Sequence, residues 1–131
     1  MFQEISVKTR SRNEMVDITG AVREVVRTSG ISDGTVLVYC PHTTGAITIN
    51  ENADPTVVSD LLEGFERLVP YGRKEYRHME GNSDSHIKSS MVGCSETLII
   101  SNGNIKLGTW QGIYFAEFDG PRNRKVWIKI Q

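Results

Sequence analysis

No run of more than about six apolar residues occurs anywhere in this chain, so nothing in it reads as a helix crossing a bilayer, which takes roughly 20. A surplus of one charge is missing too. Fifteen Lys and Arg face sixteen Asp and Glu, so no overall field draws the molecule to nucleic acid or an anionic membrane, and any anion has to be bound locally. Cysteine is scarce: Cys40 and Cys94 have neither C-x-x-C spacing nor the framework of a secreted scaffold, and they read as reduced, half-buried thiols. Met1 to Glu4 lack the basic segment and apolar run of a leader, and a cytoplasmic protein is expected. There is no repeat, linker or low-complexity tract. With 38% apolar and 24% charged residues the chain is unlike a disordered one, and its 131 residues suit a single domain spanning 1–131.

What is present is a mixed series of short elements. Phe2, Ile5 and Val7 suggest a strand over residues 2–8. Ala21, Val22, Val25 and Val26 recur at helical spacing after Thr19, read as an N-cap, with Gly30 as the stop. Residues 35–40 and 45–51 are β-branched runs joined by Pro41-His42-Thr43-Thr44 and look like a strand pair. Asp54-Pro55 predicts a helix start, because the carboxylate caps while proline takes the first helical position. Val57 to Leu68 supply its apolar face and Pro70 closes it. Residues 71–82 read as a basic loop, and a short helix capped by Asn82 or Ser83 runs to about Gly93. Strands follow at Thr97–Ile100, about 109–118 and 125–130. The order does not alternate as βαβ, so the expected fold is α+β: one compact domain, a mainly antiparallel sheet and two to three packed helices.

Polar chemistry gathers in two stretches that hold all three histidines. His42 lies in the joint between two strands and Glu51 at the far end of the second. Both sit where a rigid scaffold presents side chains, although a solvated histidine and an edge carboxylate are the plainer alternative. His78, Glu80, Asp84 and His86 put two imidazoles and two carboxylates within nine residues, a set suited to a divalent metal or to acid–base work. In one continuous helix the two histidine backbones would stand about 12 Å apart, too far to share an ion. Gly81-Asn82 argues against that helix, and a loop folding back would let His78 and His86 meet, with His42 arriving from elsewhere. Ser83 to Ser90 opens a helix with free N–H groups, and Lys88 with Ser89 and Ser90 reads as a phosphate cradle. An ordinary capped helix with a solvated Lys88 is the alternative. Trp110, at a strand entry among glycines, reads as packing on residue type alone. Arg122, Arg124 and Lys125 follow Asp119-Gly120-Pro121, and there a solvated turn is the default and anion donation the alternative.

These motifs together resemble the YjbQ-like family, also called the secondary thiamine-phosphate synthase family, over essentially the whole chain. The likeness rests on Ser95-x-x-Leu98-x-Ile100-x-x-Gly103, Gly108-Thr109-Trp110-Gln111-x-Ile113, His42-Thr43-Thr44, Asn50-Glu51-Asn52 and Gly81-Asn82-Ser83-Asp84-Ser85-His86. It implies a homotrimer and an enzyme joining hydroxymethylpyrimidine diphosphate to a thiazole phosphate with release of pyrophosphate. On that reading Glu51, Asp84 and His86 are catalytic, and His42, His78 and His86 hold a divalent metal, Mg or Zn. Lys88, Ser89 and Ser90 bind phosphate, while Trp110 stacks on the heterocycle of a small phosphorylated substrate. Two other readings accompany it: a non-catalytic metal- or phosphometabolite-binding homotrimer, and a metal-assisted phosphohydrolase.

Overall fold

Along Asn123–Ile130 every second side chain is buried: Arg124, Val126, Ile128 and Ile130 point inward, while Asn123, Lys125, Trp127 and Lys129 face out. Such period-2 alternation belongs to a strand with one face on a core. The computed structural model describes residues 1–131 and places this strand, β8, second in a five-stranded antiparallel sheet. In that sheet β1 (Phe2–Lys8) flanks β8, followed by β3 (Gly34–Tyr39), β5 (Ser95–Ser101) and β6 (Asn104–Ile105). A second, three-stranded antiparallel sheet has β7 (Gln111–Glu117) between β2 (Glu14–Asp17) and β4 (Gly45–Glu51). Three helices complete the fold: α1 (Thr19–Ser29), α2 (Pro55–Leu68) and α3 (Ser83–Val92). The α+β expectation is met, and no helix is long and apolar enough to cross a membrane.

Strand β7 explains the layering, since it is buried on both faces. Ile113 and Phe115 pack with Val36, Val38, Ile47 and Ile128 between the sheets, where Val22, Val25 and Val26 of α1 join them. Tyr114 and Ala116, with Phe118 just beyond, turn the other way and meet Val58, Leu61 and Phe65 of α2. Burial of each aliphatic side chain is worth roughly 1.5–3 kcal/mol, so these two clusters hold the sandwich and its helical cover together.

Three details differ from the sequence reading. Residues 35–40 and 45–51 do not pair with each other: β3 pairs with β5 and β8, and β4 pairs with β7, so the joint at Pro41 to Thr44 carries the chain from one sheet to the other. Strand β2 was not foreseen, because Glu14–Asp17 is a four-residue edge element with little alternation to read. Thr19 is the first helical residue rather than the cap. The Asp17 carboxylate accepts its N–H at 2.9 Å, and Thr19 Oγ1 accepts from Ile113 N–H at 2.8 Å, tying α1 to β7. At α2 the predicted start holds, with Asp54 accepting from Thr56 N–H at 2.9 Å.

Candidate functional site

The crossover joint, the Gly81 turn, α3 and the β7–β8 hairpin converge at one end of the sandwich. There they form an open cleft of about 530 Å³ lined by His42, His78 and His86 together. Thr43, Thr44, Glu80, Asn82, Asp119, Arg122 and Arg124 complete the wall, and apart from Pro41 every lining side chain carries a hydrogen-bonding group. Gly81 makes the meeting possible. At φ +73° it takes the left-handed region that disfavours other residues, its N–H closes a turn onto His78 O at 3.1 Å, and α3 starts afresh from Asn82. His78 and His86 then stand edge to face with ring centroids 5.3 Å apart.

His42 is fixed differently. Its Nε2 accepts the Lys125 backbone N–H at 2.9 Å, which leaves the neutral ring's proton on Nδ1, and its edge rests on Phe115. Burial, reinforced by the nearby Arg124 cation, holds its pKa below 6.5 and favours the neutral ring. Held so, neither nitrogen of neutral His42 offers a free lone pair to a metal. A centre of three imidazoles therefore does not fit these side chains, and no trio of His, Cys, Asp or Glu is gathered closely enough to hold an ion.

The arginines differ in what they can do. Arg124 is buried and spends Nε on Glu117 at 2.8 Å and Nη2 on Thr44 Oγ1 at 2.8 Å and on Glu117, so it braces the wall. Exposed Arg122 donates Nε and Nη2 to Asp119 O and Oδ2 at 2.7 and 3.0 Å, leaving Nη1 without a partner. Asn82 is buried and donates Nδ2 to Asp119 at 2.8 Å and to Glu80 at 3.4 Å. Those two carboxylates fix its orientation, since a flipped amide would set oxygen against oxygen. Its Oδ1 is left buried with no partner.

Several expected site residues are placed elsewhere. Lys88 is 1% exposed, and its Nζ binds Glu66 and Asp84 at 2.7 and 3.0 Å, so it is a buried ion-pair partner unavailable to phosphate. Asp84 is 0% exposed and also accepts a two-pronged contact from Arg12, both distances 3.0 Å. Burial works to raise its carboxyl pKa, but the hydrogen bonds from Arg12 and Lys88 outweigh that and leave it below 3.8. It is an ionised structural anchor rather than a catalytic acid facing the cavity. Glu51 ends β4, about 20 Å along the strand from the cavity, where its carboxylate accepts Asp54 N–H. Trp110 sits beside that end, its carbonyl accepting Asn52 N–H, 62% exposed and with no route to stack on anything at the histidines. Ser89 and Ser90 line a neighbouring cavity rather than a cradle at the α3 N-terminus.

In the sequence Arg122 reads by default as part of a solvated turn with anion donation as the alternative, Asn82 as a helix cap, and Asp119 only as a turn residue, so none of the three is placed beside the histidines. A signal was present at Arg124, which shares the buried parity of Val126, Ile128 and Ile130. A buried arginine demands a partner, and that demand points to the β7–β8 hairpin.

The family profile described as "UPF0047 protein YjbQ-like" matches residues 3–131. The UPF0047 protein YugU of Bacillus subtilis is 52% identical over 130 residues, covering 99% of this chain and 98% of the relative. A UPF0047 protein of Methanocaldococcus jannaschii is likewise 52% identical, over 99% of this chain and 94% of its own. A crystal structure from Clostridium acetobutylicum, described as an uncharacterized conserved protein of the YjbQ/UPF0047 family, superposes with a TM-score of 0.96 at 54% identity, covering 98% of this chain and 99% of that one. A Sulfolobus solfataricus structure described as of unknown function gives 0.94 at 31% identity, covering 99% and 95%. These findings overturn the expectation of a thiamine-phosphate synthase. The matched family is one of unknown function, and none of these relatives is described as making thiamine phosphate. The geometry agrees, for neither the predicted phosphate lysine nor the predicted stacking indole reaches the histidines.

Proposed function

The chain belongs to the UPF0047 YjbQ-like family, and from that premise we propose that its histidine cavity is an acid–base site for a small phosphorylated molecule. The observation that carries the reading is the facing pair of imidazoles, His78 and His86, in a wholly polar cavity with Arg122 Nη1 directed to no protein partner. A guanidinium N–H, the Thr43 hydroxyl and the His42 Nδ1–H are donors that a phosphate's oxygens use. Imidazole exchanges protons within the physiological range, and two of them beside a bound ester supply one group to accept a proton and one to donate it.

The test begins with binding. Inorganic phosphate titrated into labelled protein should shift the ring resonances of all three histidines, and Arg122→Ala should weaken that binding about tenfold, the loss of one charge-assisted hydrogen bond. Unmoved histidine signals at saturating phosphate would sink the reading. For the chemistry, incubation with a mixture of phosphorylated metabolites followed by mass spectrometry should consume a component with wild-type protein and not with His86→Gln. Binding without consumption would overturn the acid–base half.

We propose further that the protein is a homotrimer. Support comes from α2, whose apolar face buries no residue fully and leaves Leu68 69% exposed. Light scattering should return a mass about three times that of the 14.7 kDa chain.

A further inference from the structure

A second cavity, about 450 Å³, adjoins the first and shares His42, Thr43 and His86 with it. Beyond those shared residues its walls come from Gly45 and from the last turn of α3 with the residues after it, Ser89, Ser90, Gly93 and Cys94. Its chemistry differs from that of the first compartment: no carboxylate, guanidinium or ammonium lines it, and no Val, Leu, Ile, Met, Phe, Tyr or Trp side chain does either. It offers hydroxyls, one thiol and the two shared imidazoles. Ser89 is only 7% exposed, yet its Oγ has no hydrogen-bond partner, which leaves a buried hydroxyl at a net cost unless something arrives to meet it. A hydroxyl both donates and accepts, so its natural complement is another hydroxyl.

We infer that the second compartment is a subsite for the uncharged, hydroxyl-bearing part of a phosphorylated polyol or sugar whose phosphate lies in the first compartment, with His42 and His86 between the two ends. This rests on the phosphate reading above and deepens it: the ligand class becomes a hydroxyl-rich phosphate monoester, in place of inorganic phosphate, a polyphosphate or a phosphorylated heterocycle. The two cavities meet at the imidazoles, so the ester would be held at both ends with its central atoms beside the proton-exchanging groups.

Cys94 provides a reporter inside the subsite. It is exposed, whereas Cys40 is buried and its thiol is pushed up to about 11 chiefly by burial, so a thiol reagent labels Cys94 selectively. The experiment measures iodoacetamide labelling of Cys94 by mass spectrometry with no addition, with inorganic phosphate, with ribose 5-phosphate or sorbitol 6-phosphate, and with the free polyols. Histidine resonances are followed in parallel to report the first compartment. The sugar phosphates should bind about tenfold more tightly than inorganic phosphate, the increment of one or two hydrogen bonds, and slow labelling at least fivefold, while bound inorganic phosphate leaves labelling unchanged. Ser89→Val should collapse the affinity ratio between sugar phosphate and phosphate toward one, and Ser90→Leu at the exposed rim makes the same comparison if Ser89→Val does not fold. If inorganic phosphate shifts the histidines while sugar phosphates neither bind tighter nor protect Cys94, the subsite is wrong and the phosphate reading stands. If neither binds, both fall.

Discussion

His42 has a lone pair committed to the Lys125 backbone N–H, and its pKa is depressed by burial and by Arg124. A histidine that takes a proton less readily in the folded protein than in the unfolded chain stabilises the fold above the unfolded value near 6.5, and that contribution is lost as pH falls through the folded value. Two results are expected. The His42 midpoint in an NMR titration lies below 6.5, and His42→Gln flattens the rise in unfolding free energy that wild-type protein shows as pH climbs toward 6.5 from below. A midpoint at or above 6.5 would show that burial and Arg124 do not govern the ring. At this scale the sequence identified the histidines as a group and the Gly81 break that lets two of them meet, both local features. It misassigned Lys88 and Asp84 because a Lys and an Asp one helical turn apart look solvated in any sequence. Only the packing of Arg12 and Glu66 around them, 72 and 22 residues away along the chain, makes them a buried network.

At the scale of elements, α3 has little apolar moment of its own and is fastened instead by that network to the loop carrying Arg12 and to α2 through Glu66. Removing one member leaves a buried charge short of a partner, so Lys88→Met should cost about 3 kcal/mol in urea unfolding. The double variant Asp84→Leu, Lys88→Met should recover most of that loss, and a double variant no more stable than the single would show that packing rather than charge holds the helix. Strand β4 begins under a tighter constraint. A methyl at Gly45 would lie 2.5 Å from Phe115 Cζ, in a ring that is fully buried, so Gly45→Ala should destabilise by roughly 1–3 kcal/mol and Phe115→Leu should restore part of it in a melting experiment. Strand and helix identities were readable because β8 alternates and α2 carries both a cap and a proline start. Strand partnership was not, since residues adjacent in sequence, as in β3 and β4, resemble a hairpin until the register of β5, β7 and β8 is known.

At the scale of the whole molecule the two ends of the sandwich are chemically distinct. Glu51 and Trp110 lie at one, the histidines and Arg122 at the other. Trp110→Ala should therefore leave phosphate binding within about twofold of wild type, whereas Arg122→Ala weakens it about tenfold, and calorimetry compares the two directly. An equal loss in both would mean that the ends meet across subunits. The crossover joint has a mechanical consequence of its own. Because the cavity straddles the place where the chain leaves one sheet for the other, an occupant touches segments that separate when the sheets part. It would serve as a clasp across the seam, stiffening that end of the sandwich against fraying and delaying the first step by which the two layers come unzipped.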